Sequence, residues 1–261
     1  MANVNDIPCG EMRKESWNNL SQGKWGKAAV TTLVFFLMSV VIESVSKFIP
    51  KVGSLALFVV KPVLTYGWLV EMIKLKNGEE YSYVDFFKFG FEKFGMVWKV
   101  ALRVVLKLIV PIILIVIGSI LMSGSIIIAV VAPAMVKAPD SMQTIIMFLN
   151  FIGLVLMIAG AVISIPILYK YRLVNLEIYN NPDAEHSKDL VEKAGRLMVG
   201  HRFKFCLLEL SFIGWALLGC LGFYIPFLWL SPFMEIAKLV FYDKLVEGSN
   251  DAITVNSNPI V

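Results

Sequence analysis

The sequence predicts an all-α fold: a polytopic bundle of about six transmembrane helices, with amphipathic helices on the cytoplasmic surface. Three observations predict it. Of the 261 residues, 57% are hydrophobic and 17% charged, and the mean hydropathy is +0.73, whereas a soluble domain has an apolar share of roughly 45–50%. Several nearly uncharged runs are long enough to cross a hydrocarbon core of about 30 Å as helices. Basic residues, finally, gather on alternate connections between those runs. Together these exclude a soluble enzyme, a secreted disulfide scaffold, a disordered tail and a collagen.

The chain reads as a single integral membrane domain over 1–261, with a cytoplasmic segment at 1–26, a bundle at 27–245 and a flexible cytoplasmic tail at 246–261. Residues before the first run are polar and mixed in charge, so no cleaved signal peptide is expected. The first span covers Ala28 to about Ile49, and Pro50 with Gly53 marks a tight return into the second, Ser54 to about Leu75. A third begins near Val97 and continues through Leu121, where Ser123-Gly124-Ser125 interrupts it before a further apolar stretch from Ile126 to Val136. Leu108 to Val136 carries no charge. As one helix it would be roughly 40 Å or more, so it tilts and projects or its second part bends back. The fourth span is Ile145 to Leu168; the fifth and sixth occupy Phe203 to about Val240, divided near Gly222 and Pro226.

Lys and Arg accumulate in cytoplasmic loops. With the N-terminus inside, basic residues cluster on the inner side within 13–27, 74–103, 170–204 and 238–244, and the outer side holds only Lys47, Lys51 and Lys137. Both termini are therefore expected in the cytoplasm, and Ile126 to Val136 is not expected to be a separate crossing.

Two cytoplasmic loops read as amphipathic helices. In the first, Ser82 and Asp85 form a capping box before a stripe of Phe87, Phe91 and Phe94. In the second, Asn181 caps a helix with Pro182 at its first position and Asp183 near the positive dipole end, and Gly200 ends it. Its stripe of Leu190, Val191, Ala194, Leu197 and Met198 lies opposite Lys188, Asp189, Glu192, Lys193 and Arg196. Each helix leads into a span through an interfacial anchor, Trp98-Lys99 or Phe203-Lys204, and the N-terminus does the same with Trp17, Leu20 and then Trp25 between Lys24 and Lys27. A unit used three times, or a general benefit of aromatic and basic residues at the interface, accounts equally for the pattern.

A charge within a span is costly and marks a place to look for chemistry. Glu43 and Lys61 lie at similar depths in the first hairpin and can pair. Lys107 and Glu209 lie a short way above the cytoplasmic side and can pair across the bundle, with Arg103 a further partner for Glu209 and snorkelling of Lys107 the simpler alternative. Glu71, Glu235 and Lys238 read as ordinary interfacial residues. His186 and His201 are too far apart to share a helical face, so no metal site is expected. Cys9, Cys206 and Cys220 lack CxxC spacing and read as reduced structural residues. Neither a phosphate-binding glycine loop nor a GxSxG elbow is present. No catalytic residue and no cofactor are expected. The basic inner face suits anionic lipid better than nucleic acid. In the last two spans Gly214, Trp215, Gly219, Cys220, Gly222 and Tyr224 favour close helix approach, and Pro226 and Pro232 should bend the sixth, where unwound backbone can line a cavity.

Asn181-Pro182-Asp183, Met198-Val199-Gly200, Leu210-Ser211-Phe212-Ile213-Gly214-Trp215, Trp229-Leu230-Ser231-Pro232-Phe233 and Phe241-Tyr242 form a set that resembles the bacterial integral membrane proteins grouped as domain of unknown function 975. The resemblance is specific from about Tyr169 to Leu245. It extends more loosely to the membrane part of some glycerophosphodiester phosphodiesterases. It implies a bacterial cytoplasmic membrane location and about six spans, and brings no activity and no catalytic residues. Phe233 stands where the resemblance leads one to expect tyrosine. Three functions compete: a non-enzymatic protein associating with lipids, a membrane-protein partner or a second copy of itself, in membrane organisation or as an accessory to a transport or envelope system; a carrier or channel using the intramembrane charges; and a membrane-embedded enzyme of lipid metabolism.

Overall fold

Residues 4–21, 23–48, 52–135, 140–222 and 225–257 are described by the structure, a computed structural model. Every regular element among them is a helix. In order these are α1 (Cys9–Ser21), α2 (Lys24–Lys47), α3 (Val52–Asn77), α4 (Asp85–Glu92), α5 (Phe94–Lys107), α6 (Ile109–Met135), α7 (Asp140–Lys170), α8 (Val174–Asn180), α9 (Ser187–Leu197), α10 (Arg202–Leu210), α11 (Ile213–Leu221) and α12 (Phe227–Ser257). The expected details at Ile49, Pro50, Lys51, Val136, Lys137 and Tyr224 lie outside the described residues. Four stretches are long and apolar enough to cross a membrane: Lys24–Lys47, Ala56–Asn77, Thr144–Asn180 and Arg202–Leu221. The bent pair Phe94–Lys107 and Ile109–Gly124 makes a fifth if taken as one span. α12 runs to Ser257, past the point where the sequence places a tail.

The chain forms two compact units, Leu102–Tyr171 and the remainder. In the smaller unit the third span is not one helix, as the sequence suggests, but breaks at Leu108 with a bend of 63°. Pro111 supplies the cause, since it has no N–H to offer the carbonyl of Lys107 and its ring clashes there. Beyond the break α6 continues without interruption to Met135, so Ser123-Gly124-Ser125 lies inside a helix. α6 and α7 form a tight hairpin. A Cβ on Gly118 would lie 2.6 Å from the Gly153 carbonyl oxygen, and one on Gly160 would lie 2.8 Å from that of Pro111. Small residues at these positions let the backbones touch, which is how helices associate where no hydrophobic effect drives them together. Outward faces are largely apolar, with Ile113, Ile117, Ile120, Phe148, Phe151 and Ile158 all exposed.

In the larger unit α2 and α3 form a second hairpin, and α4 folds back on α3. The contact is again made by glycines: a Cβ on Gly67 would collide with the carbonyl of Phe86, and one on Gly90 would stand 2.5 Å from that of Val63. The buried stripe of α4 is therefore Phe86 and Gly90, not the expected Phe87, Phe91 and Phe94. Phe91 is exposed and stacks on Phe94. Of the expected capping box one half forms, with the Ser82 N–H donating to Asp85 Oδ2 at 2.8 Å. Glu71 supplies a second acceptor: its Oε1 takes the Phe86 N–H at 2.8 Å. A carboxylate from a neighbouring helix thus serves an N-terminal amide of α4 that has no intrahelical partner. This corrects the reading of Glu71 as an interfacial residue, because it is wholly buried.

α12 packs on α1, α2 and α3 and is the spine of this unit. Ile236, Val240 and Phe241 are buried along it, and Phe241 meets Phe205 at 4.9 Å. Phe233 sits among Trp17, Trp25 and Phe212 at ring separations of 5.8, 5.9 and 5.1 Å. Trp17 and Trp25 themselves meet at 4.8 Å. A phenylalanine suits this place, since three rings surround it and a buried tyrosine hydroxyl would need a partner. α9 buries Leu190, Val191 and Ala194, as its periodicity predicts. It starts at Ser187, however, and Asn181 closes α8 in place of opening α9. Gly200, with φ +82°, turns the chain into α10.

Candidate functional site

Two charged assemblies in the larger unit come from residues the sequence does not bring together. The first surrounds Glu177 on α8. Leu176 and Ile178 on either side of it are buried, and the carboxylate is itself fully enclosed. Asn181, one helical turn on, donates from Nδ2 to the Glu177 carbonyl at 2.9 Å and to its Oε2 at 3.0 Å. Lys193 of α9 reaches the same Oε2 at 2.9 Å and also donates to Asn181 Oδ1 at 3.2 Å. Tyr242 of α12 donates its hydroxyl to Oε1 at 2.6 Å. Lys93 donates to the carbonyl of Pro182 at 3.1 Å. A buried carboxylate with three donors is satisfied, and removing one of them restores part of the penalty of its burial. The assembly is a clamp joining α8, α9 and α12, and Asn181-Pro182 serves it as a helix end and not as a helix start.

The second is a cavity of about 220 Å³. Trp68 of α3, Phe205, Leu208, Glu209 and Phe212 of α10 and its end, Ser231, Met234, Glu235, Ala237 and Lys238 of α12, and Arg172 line it. Arg172 approaches Glu209 with two nitrogens, at 3.1 and 3.2 Å. Glu235 and Lys238, one turn apart on α12, pair at 2.5 Å and are both largely buried. The Trp68 ring is held by Phe35 stacked at 5.5 Å. Its indole N–H is buried without an acceptor among the described residues.

The remaining expected sites are dispersed. Lys61 Nζ lies 3.2 Å from Glu43 Oε1, but the two side chains are 71% and 47% exposed, so the pair lies on the outside of its unit. Glu209 takes Arg172 as a partner; the Lys107 ammonium lies over the ring of Tyr171, 5.6 Å from its centre. Ser211 donates to the Leu208 carbonyl at 2.6 Å where α10 gives way to α11, and its own carbonyl accepts from Arg13 at 2.8 Å. Gly214 faces open space and Trp215 is exposed, so neither makes the close helix contact expected of it. Gly219 and Gly222 do make it, against Phe227 and Pro226. Pro226 precedes α12 and Pro232 lies inside it. Of the anchors, Trp98 meets Phe58 at 5.5 Å, Trp25 belongs to the aromatic cluster, and Phe203 is fully open to the surroundings at 74% exposure.

Around the ends of the helices lie further ties. Lys76 pairs with Asp243, Lys244 with Glu15 at 2.8 Å, and Lys24 donates to the Lys76 carbonyl at 3.0 Å. Tyr81 shares a hydrogen bond with Thr31 at 3.0 Å beneath the Lys27 ammonium, and burial pushes its phenol up to about 12. His201 Nδ1 lies 3.0 Å from Asn5 Oδ1, and desolvation lowers its pKa from the ordinary 6.5.

A family model described as a protein of unknown function, DUF975, matches residues 7–249. The chain belongs to that family. No curated protein and no solved structure gives a significant match. Clamp and cavity both fall within the matched residues of this DUF975 protein.

Proposed function

We propose that this DUF975 protein is a multi-pass protein of the bacterial cytoplasmic membrane, with six spans and both termini inside. In this reading it works without catalysing a reaction, by associating with membrane lipids or a partner protein in membrane organisation or as an accessory to a transport or envelope system. In this reading α12 supplies the sixth span, with Glu235 and Lys238 paired within one helical turn. The observation that carries the reading is that the short helices α1, α4 and α9 are each buried on one face: Met12 and Leu20 of α1, Phe86 of α4 and Leu190 and Val191 of α9 are enclosed. Each also leads into a longer apolar helix or helix pair. Trp17, Phe91 and Phe203 in or just after these helices are exposed and have Lys and Arg in the same segments, a combination suited to anionic headgroups.

Affinity purification from gently solubilised membranes, with mass spectrometry of retained proteins and lipids, tests this. A near-stoichiometric protein or a reproducible lipid set is expected, and recovery of the chain with neither would overturn the proposal. A second reading, a carrier for a small solute or lipid, is favoured by the charged cavity. Under that reading Lys238→Met abolishes flux without loss of folding. The Glu43 and Lys61 pair gives it less support, since an exposed pair does not line a path.

A further inference from the structure

We propose that the cavity beside Trp68 binds the headgroup of a zwitterionic aminophospholipid, one that carries a phosphate ester and a primary ammonium. The inference rests on the lipid-associating reading and names the lipid class.

The lining carries two cations, Arg172 and Lys238, and two anions, Glu209 and Glu235. Its formal charge cancels, so an anion that reached Lys238 would also meet Glu235, and a lone cation at Glu209 would meet Arg172. A ligand with both charges uses both signs. A guanidinium has five N–H donors and an ammonium three, more than one carboxylate takes up, so a phosphate can join these pairs without dissolving them. The Trp68 indole is a neutral donor, buried and without an acceptor among the described residues, and a phosphate oxygen brought beside it would supply one. A primary ammonium donates three hydrogen bonds, which two carboxylates and the Ser231 hydroxyl can accept, whereas a trimethylated one donates none.

Room is sufficient. About 220 Å³ corresponds to roughly seven waters at about 30 Å³ each, enough for the few non-hydrogen atoms of a phosphoethanolamine group. The source of that group follows from the walls. Trp68 and Glu209 belong to the stretches Ala56–Asn77 and Arg202–Leu221, both long and apolar enough to cross a membrane. Phe205, Leu208, Phe212 and Met234 complete a lining that suits an amphiphile arriving from the bilayer.

The test uses the full chain in nanodiscs of equal phosphatidylethanolamine, phosphatidylglycerol and phosphatidylcholine, released and examined by native mass spectrometry. One phosphatidylethanolamine per chain is expected, retained at least fivefold over either other lipid. Trp68→Phe, which removes only the N–H donor, and Glu235→Gln should each lower that retention about tenfold, the size of a lost hydrogen bond to a charged group. A melting temperature within about 2 °C of the parent, the size of one weak interaction, identifies variants that fold; if one fails it, the other decides. Equal retention of the three lipids, or retention unaffected by both folded variants, would overturn the inference while leaving the lipid-associating reading in place. Loss of every lipid and every partner from the parent protein would overturn both. Displacement of the lipid by soluble phosphoethanolamine at equal concentration would overturn the assignment to a lipid.

Discussion

Replacing Tyr242 by phenylalanine removes one oxygen and leaves the ring, so it deletes the hydroxyl's bond to Glu177 together with its side-chain hydrogen bond with Asn180. The bond to Glu177 is 2.6 Å long and ends on a carboxylate with no exposed surface. Hydrogen bonds to charged groups are worth about 1.5–3 kcal/mol, and an acceptor left unmatched in the interior costs a similar amount. Lys193 and Asn181 remain to hold Glu177, so the loss should fall near 2 kcal/mol and not at the upper end. Lys193 is 48% exposed, and its attraction is screened too well to compensate. For a chain of this size about 2 kcal/mol lowers the midpoint of thermal unfolding by roughly 4–8 °C. The assay is thermal unfolding in detergent followed by tryptophan fluorescence, on the parent, Tyr242→Phe, Glu177→Gln and the double variant. The two substitutions should be coupled by at least about 1 kcal/mol, as expected for groups in direct contact. A shift below about 1 °C for Tyr242→Phe, or full additivity in the double variant, would show that the clamp contributes nothing.

Other consequences are open to the same assay. Glu71→Gln keeps an acceptor for the Phe86 N–H and should be nearly silent, whereas Glu71→Leu leaves that buried amide unmatched and should cost about 1–3 kcal/mol. Gly67→Ala drives a methyl into a backbone carbonyl and should destabilise by about 1–3 kcal/mol; Gly214→Ala meets open space and should be neutral or stabilising by up to about 1 kcal/mol. His201 is held neutral in the folded state with its pKa below 6.5, so its contribution is complete above that pH and is lost as the pH falls toward the folded value. The midpoint should therefore drop between pH 7 and pH 5, and His201→Gln should flatten that part of the profile. A fluorescent-protein fusion at the C-terminus should glow if that end is cytoplasmic, and a dark fusion with normal membrane yield would refute the assigned orientation.

Much of the helix order was legible because apolar runs must be as long as the membrane is thick. α2, α3 and α7 match the expected spans to within a few residues at most of the ends the structure describes. The break at Leu108 had a visible signal in Pro111, hidden by the uncharged sequence on either side. Glu71 and Glu177 were not legible as buried groups. A carboxylate near the end of an apolar run reads the same whether it snorkels to water or turns inward, and only its partners decide. Those partners are distant in sequence: Tyr242 for Glu177, and the α4 backbone for Glu71. Asn181 was assigned to the wrong end of a helix, because Asn followed by Pro-Asp has the composition of an N-cap while its side chain bonds backward. Trp68 gave no signal in the sequence, since an indole in a span reads as an anchor or as core.

The larger unit is assembled from both ends of the chain, Met1–Ala101 and Arg172–Val261, and this has a consequence for biogenesis. α1, α2 and α3 obtain their shared packing partner only once α12 begins, about 150 residues after α3 ends. At roughly 5–20 residues per second, synthesis leaves the N-terminal helices without that partner for about 8–30 seconds. The α6 and α7 hairpin, complete in itself, can form during the wait. A message cut short before α12 would yield a chain whose first three helices never gain their cover, a natural target for membrane quality control.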